Sequence, residues 1–267
     1  MKDKILVFIP VYNCEKQIVR VLEQLGGEIG NYIDETIIIN NRSTDGGETA
    51  AIRKIKEMDF PFKVSVLRNQ ENYGLGGSHK VAFCYAIENG FDYCICLHGD
   101  DQGSISDFLP VLKRKKYRGY DCCLGARFMK GAELKGYSAM RIWGNYVFNW
   151  IFSVIVRRRI YDLGSGLNMY KTESLVTRYY EKFPDTLYFN DCMILAYCHY
   201  QQKIKFIPIT WREEDQVSNN KLIKFSAALL KMLVMYVRNP VGYMESDMRS
   251  KIIEDYRAEC IFVNKEA

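Results

Sequence analysis

An apolar run ends abruptly in two carboxylates and a carboxamide. Phe91, Tyr93, Ile95 and Leu97 lead straight into His98-Gly99-Asp100-Asp101-Gln102-Gly103-Ser104. Hard oxygen ligands packed behind a buried strand are how an α/β sheet offers a divalent cation at its carboxyl edge. Magnesium or manganese held there would neutralise a diphosphate, which points to a nucleotide-activated substrate. The bland alternative is that Asp100 and Gln102 only cap a helix N-terminus.

The segments around this cluster alternate strand and helix. Lys4–Ile9, Thr36–Ile39, Phe62–Leu67 and Phe91–Leu97 read as strands. Glu15–Leu25, Glu48–Met58 and Gly76–Asn89 read as helices, the last stopped by Gly90. Continuous apolar strands in strict alternation with helices imply a mostly parallel sheet covered on both faces. Its functional crevice lies past the strands' carboxyl ends, where Pro10–Glu15, Asn40–Asp45, Asn69–Gly77 and His98–Ser104 all fall. The second half is less regular. Strands are expected at Asp121–Gly125, Leu167–Tyr170 and Ile204–Ile209, and helices at Arg141–Val156, Asp191–Gln201 and Leu222–Val237.

With 267 residues, 48% hydrophobic and 26% charged, the chain can bury a substantial core and is not of disordered composition. The net charge of +5 is mild, and no nucleic-acid-binding motif is present, so no nucleic-acid partner is expected. Positive residues cluster at Lys113-Arg114-Lys115-Lys116 with Arg118, and at Arg157-Arg158-Arg159. Each cluster is either a solvated face or a contact for phosphate or lipid. The 9 cysteines form no Cys-x-x-Cys pair, and no signal segment opens the chain, so a cytoplasmic protein with reduced thiols is the simplest reading. Cys94, Cys96 and His98 share a strand face, but same-face neighbours stand about 7 Å apart, too wide to chelate zinc easily. The apolar stretches Tyr146–Val156 and Leu222–Val237 fall short of the roughly 20 residues of a membrane span. Each fits either the protein's own core or a membrane interface, the second being amphipathic with Lys224 and Lys231 on one side.

Taken in order, several of these segments resemble family 2 glycosyltransferases of the GT-A fold, above all the branch that transfers sugars to dolichyl or polyprenyl phosphate. Ile9-Pro10-Val11-Tyr12-Asn13-Cys14-Glu15 is similar to that family's opening strand-turn. Asn40-Asn41-Arg42-Ser43-Thr44-Asp45-Gly46 resembles its acidic turn after the second strand, and Asn72-Tyr73-Gly74-Leu75-Gly76-Gly77-Ser78 its next Gly-rich segment. The acidic cluster stands where the family keeps its Asp-x-Asp metal motif. Gly125-Ala126-Arg127-Phe128, Asp162-Leu163-Gly164-Ser165-Gly166 and Trp211–Asn219 follow as in the branch, so the resemblance covers about 5–220. It implies a GT-A catalytic domain over 1–220, followed by a C-terminal helical extension over 221–267 that could lie in a membrane interface.

The resemblance also implies roles. Pro10, Tyr12, Asn13, Glu15, Asn40, Asn41, Gly74, Asp100, Asp101 and Arg212 would bind the nucleotide sugar. Asp100 and Gln102 would hold the metal, with His98 in place of the family's first aspartate. His98 either ligates the ion, tilting the choice toward manganese, or packs and makes hydrogen bonds. Asp101 would restore the lost charge. Asn40 and Asn41 replace paired acids: an amide suits uracil, favouring a UDP-sugar over GDP-mannose, unless the asparagines only shape the turn. Asp45 would cap the helix after it. Glycines 74–77 either admit a ligand or permit a tight turn. Arg127 and Ser165 would contact an acceptor phosphate. Trp211 either stacks on the acceptor or packs in the core. The reaction would be a single inverting displacement onto a lipid-phosphate, polysaccharide or glycan acceptor. A phosphate acceptor needs no base, whereas a hydroxyl acceptor would need Asp191, which otherwise is a first-turn helix acid. A sugar nucleotidyltransferase and a non-catalytic nucleotide-binding scaffold are the rival readings. The expected location is cytoplasmic, peripheral to the inner face of the membrane.

Overall fold

In the computed structural model, which describes residues 2–213 and 222–265, the first half alternates as its periodicity requires. Strands β1 (Ile5–Val11), β2 (Glu35–Asn40), β3 (Lys63–Asn69) and β4 (Tyr93–Leu97) are joined by α1 (Glu15–Gln24), α2 (Gly47–Glu57) and α3 (Gly74–Glu88). Every residue of β1, β2 and β4 is buried, as expected of central strands covered on both faces. Leu6, Phe8, Ile37 and Ile39 pack with Ala82 and Phe83 of α3, whereas Val7, Ile9 and Ile38 pack with Ile18 and Val21 of α1 and Ala51 of α2.

The second half adds α4 (Leu109–Lys113), β5 (Cys122–Ala126), β6 (Glu133–Lys135), α5 (Ala139–Val156), β7 (Leu167–Lys171), α6 (Phe189–His199), β8 (Ile204–Pro208), β9 (Thr210–Arg212), α7 (Leu222–Arg238), α8 (Pro240–Glu245) and β10 (Ala258–Val263). The main sheet has the order β10-β3-β2-β1-β4-β7-β5-β8, and β6 and β9 form a small parallel pair. Within the main sheet only β7 and β10 run against their neighbours. The reversal of β7 has a functional consequence. It brings the start of that strand, and the 162–166 turn before it, to the edge where β4 and β5 end, with Leu97 opposite Leu167 and Leu124 opposite Asn168.

The segment expected to be a helical extension is not helical throughout. After α7 and α8 the chain returns, and β10 pairs antiparallel with β3 on the sheet's outer edge. That edge would otherwise expose unpaired backbone groups. Its apolar run Cys260-Ile261-Phe262-Val263 is a short strand signal that the expectation of a helical extension passed over.

A buried ion pair ties this C-terminal segment to α3. Lys80, fully buried, donates from Nζ to Phe183 O (2.6 Å), Asp185 Oδ1 (2.7 Å) and Tyr256 Oη (3.1 Å). Removing Asp185 would leave an unpaired ammonium in the core, which costs about 3–5 kcal/mol. Urea unfolding of Asp185→Ala is therefore expected to show a loss of that order, while Lys80→Met combined with Asp185→Leu recovers much of it.

Candidate active site

The turn after β4 sends its two carboxylates in opposite directions. Asp101 adopts φ 58°, a left-handed conformation that Asp tolerates, and points back to α1. There it accepts from Arg20 Nε (2.6 Å), Gln24 Nε2 (2.8 Å) and Arg212 Nη2 (3.4 Å). Its charge is thus neutralised by the protein, which corrects the expectation that it supplements the metal site. Asp100 keeps only the backbone N–H of Gln102 (3.2 Å) and forms no ion pair among the described residues. Burial, with the Asp101 charge adding to it, pushes its carboxyl up to about 6. Asp100 and Gln102 both line one cavity of about 440 Å³. A half-buried carboxylate without a cation, beside a free carboxamide oxygen, fits a hard divalent ion.

His98 lines the same cavity, and its ring stands edge-on to His79 of α3, with centroids 5.9 Å apart. Burial lowers its pKa to about 4 and that of His79 to about 3, so both rings are neutral.

On the donor side the structure builds a turn in which the asparagines hold one another. Asn40 Nδ2 donates to Glu48 Oε2 (2.5 Å) and its Oδ1 accepts from Ser43 N (2.9 Å). Asn41 Nδ2 donates to Asn72 Oδ1 (2.7 Å), and its Oδ1 accepts from Asn69 Nδ2 (2.9 Å) and Tyr73 N (2.8 Å). Both side chains are buried and shape the turn, which removes the support their amides lent to uracil. Asn13, itself at φ 54°, accepts from Thr44 N (2.8 Å), and Glu15 Oε2 accepts from Gly46 N (3.2 Å). Asp45 accepts from Glu15 N (2.9 Å) and Gly47 N (3.0 Å), tying α1 and α2 together at their first turns. Pro10 is buried, its carbonyl accepting from Gly99 N (3.1 Å), while Tyr12 is 49% exposed at the rim. Gly74 lies against protein, not ligand. A Cβ there would meet Asp185 O at 2.3 Å, and Gly76 N donates to that same oxygen (2.8 Å).

The far wall of the cavity is built by β5, the 162–166 turn, β9 and three helices. Arg127, just past β5, grips Asp162 through Nε (2.8 Å) and Nη2 (2.7 Å), a bidentate pair that leaves Nη1 without a hydrogen bond among the described residues. Its guanidinium lies 5.0 Å from the ring centre of Trp211. Trp211 is 4% exposed: it packs in the core and backs the arginine, and it also lines the cavity. Arg212 is held at the site through its N–H to Gln102 O (2.8 Å) and the Asp101 pair. Ser165 faces away: its hydroxyl donates to Leu167 O (3.1 Å) beneath Gly125, so it is not placed to reach an acceptor. Asp191, in the first turn of α6, lines the cavity, and burial raises its pKa well above the usual carboxylate range.

Sequence reasoning missed the helical roof. Tyr137, Arg141, Asn145 and Phe148 at the start of α5, with Phe225 and Leu229 of α7, also line the cavity. Arg141 pairs with Glu213 and lies over the Tyr137 ring at 4.4 Å. A single arginine at the head of an apolar helix carries no spacing signal that could have marked it.

The profile described as Glycosyl transferase family 2 matches residues 6–178. The chain belongs to that family. An uncharacterized protein of Methanocaldococcus jannaschii is 31% identical over 173 residues, 65% of this chain and 67% of that one. The UDP-N-acetylglucosamine–dolichyl-phosphate N-acetylglucosaminyltransferase of Methanococcus voltae is 25% identical over 66% of this chain and 72% of its own. The structure of glucosyl-3-phosphoglycerate synthase from Mycobacterium tuberculosis, in complex with Mn2+, UDP and phosphoglyceric acid, aligns with a TM-score of 0.61 at 14% identity, covering 89% of this chain and 79% of that one. The fold is GT-A-like, and the protein is a family 2 glycosyltransferase, which sets aside the nucleotidyltransferase and scaffold readings.

A pH dependence follows from Asp100. The fold favours its protonated form, so this carboxyl contributes stability below its ordinary value of 3.8 and loses it as pH rises through about 6. A metal needs the carboxylate instead. Calorimetric titration with Mn2+ in the presence of UDP is expected to give constant affinity above about pH 7 and a fall of about tenfold per unit well below pH 6. Asp100→Asn is expected to remove both the binding and its pH dependence.

Proposed function

We propose that this enzyme transfers a sugar from a UDP-sugar to the phosphate of an isoprenoid lipid at a membrane surface. The observation that carries the reading is the cavity itself, which sets Asp100 and Gln102 opposite Arg127 and Arg141 and is roofed by two helices with exposed apolar faces. On α5, Met140, Trp143, Val147, Trp150 and Val154 recur at helical spacing and are all exposed. Arg157 and Arg159 follow at its exposed C-terminal end. On α7, Leu230, Val234 and Val237 are exposed as well. No helix among the described residues is long and apolar enough to cross a membrane. A helix with aromatic residues on one face and arginines at its end suits the interface, where each cation near an anionic surface contributes about 1 kcal/mol. The preference for UDP rests on the N-acetylglucosaminyltransferase relative and the UDP-bound neighbour, not on Asn40 and Asn41.

In this reading Asp100 and Gln102 would hold Mn2+ or Mg2+, which would supply charge neutralisation for the departing diphosphate. Arg212 borders the same edge and adds positive charge toward the donor. Arg127, fixed by Asp162, presents Nη1 to the acceptor phosphate, and Arg141 at the roof provides a second cation. Asp191, kept protonated by burial to higher pH than an ordinary carboxyl, does not repel an incoming phosphate. The phosphate oxygen attacks the anomeric carbon directly, with inversion, so no base is needed.

A hydroxyl acceptor is the second reading, and the raised pKa of Asp191 favours it, because a poised carboxylate is what a general base requires. Asp191→Asn separates the two. Transfer from a UDP-sugar to a polyprenyl phosphate in mixed vesicles is expected to retain activity within about tenfold. A loss of about 10²–10⁴-fold would mark Asp191 as a base and overturn the phosphate acceptor. Trp143→Ser with Trp150→Ser is expected to lower vesicle association while leaving UDP binding unchanged.

A further inference from the structure

Two of the chain's 3 histidines meet a cysteine in the layer beneath the active-site floor. Cys96 of β4 and His98 just beyond it lie on one strand face, and α3 brings His79 against them. One ligand atom from each of His79, Cys96 and His98 lies within 4.8 Å of the other two. The separation of Cys96 Sγ from His79 Nε2 is 3.3 Å, close to the roughly 3.5 Å between sulfur and nitrogen on one tetrahedral zinc ion. His79 Nδ1 bonds Leu75 O at 2.9 Å, the outer contact that fixes the tautomer and aims Nε2 at a metal. His98 Nε2 is buried and has no hydrogen-bond partner among the described residues. Gly166 makes room for this ring, since a Cβ there would lie 2.6 Å from His98 Cγ.

We infer that His79, Cys96 and His98 form a binding site for zinc, separate from the oxygen ligands Asp100 and Gln102. A thiolate and two imidazoles are the donor set of a borderline-soft ion, whereas magnesium and manganese prefer the oxygens above. On binding, the Cys96 sulfur forms its bond to zinc and its proton leaves to solvent. His98 also lines the active-site cavity, from which a water completes four-coordination. Strand spacing alone disfavours zinc among Cys94, Cys96 and His98; the ligand that changes this comes from α3, 17 residues before Cys96.

The test does not depend on the sugar-transfer reading, because its readout is binding. Chelator-stripped, reduced full-length protein is titrated with Zn2+ against a chromophoric chelator, and separately with Co2+ under absorption spectroscopy. The expected result is about one ion per chain, a near-ultraviolet thiolate-to-cobalt charge-transfer band, and visible bands of tetrahedral intensity. Cys96→Ser and His79→Gln are each expected to weaken zinc binding more than about tenfold and to abolish or alter the cobalt bands, while Cys94→Ser leaves both intact. Absence of the charge-transfer band in the wild-type protein, which needs no variant to fold, would overturn the site. Equal zinc binding by Cys96→Ser would mean an adventitious ion only, and would overturn it too.

Discussion

A carboxylate withdrawn from water needs a positive charge or a proton, and the turn after β4 divides two adjacent aspartates between those fates. Asp101 takes Arg20 and Arg212, and in doing so pins α1 and β9 to the end of β4. Asp100 is left without an ion pair among the described residues, at the edge where the parallel strands terminate. Had both acids pointed the same way, their repulsion would have had to be met by one ion. Instead Arg20 and Arg212 pair with the outer acid, and the inner one faces the cavity. The left-handed backbone at Asp101 is what makes the division possible.

The opposite wall depends on a second division of charge. Arg127 is buried against Asp162 and would be a purely structural pair if all its donors were used. The bidentate grip takes one edge of the guanidinium and leaves Nη1, while Trp211 backs the plane. Asp162 reaches this position only because β7 is antiparallel, which returns the 162–166 turn to the functional edge. The same reversal puts Gly166 under His98 and lets that ring tip toward α3. One strand's direction therefore organises both the far wall of the cavity and the histidine pair below the floor.

The α/β alternation was legible from sequence because buried parallel strands read as continuous apolar runs. The acidic cluster with Gln102 was legible because polar residues at strand ends converge in this topology, whereas Arg127 and Asp191 were singled out only by the family resemblance. What sequence could not give was the direction of side chains. Asp100 and Asp101 differ by one position, and only the backbone angle tells them apart. Asn40, Asn41, Ser165 and Gly74 have the residue types of ligand contacts but are used by turns and close packing. Helix rotation places Arg141 in the cavity wall and His79 against Cys96 and His98 beneath it, and neither has a spacing partner to announce it. Strand β10 is short, and its pairing partner β3 is distant in sequence, with Ala258 opposite Asn69.

The account stands on a cation held by Asp100 and Gln102 at the end of β4. Anomalous scattering from crystals soaked with UDP and Mn2+ tests this directly. The expected result is a manganese peak within bonding distance of the Asp100 carboxylate and the Gln102 carboxamide oxygen, touching the diphosphate. A diphosphate bound in the cleft with manganese absent from that corner, or liganded elsewhere, would contradict it.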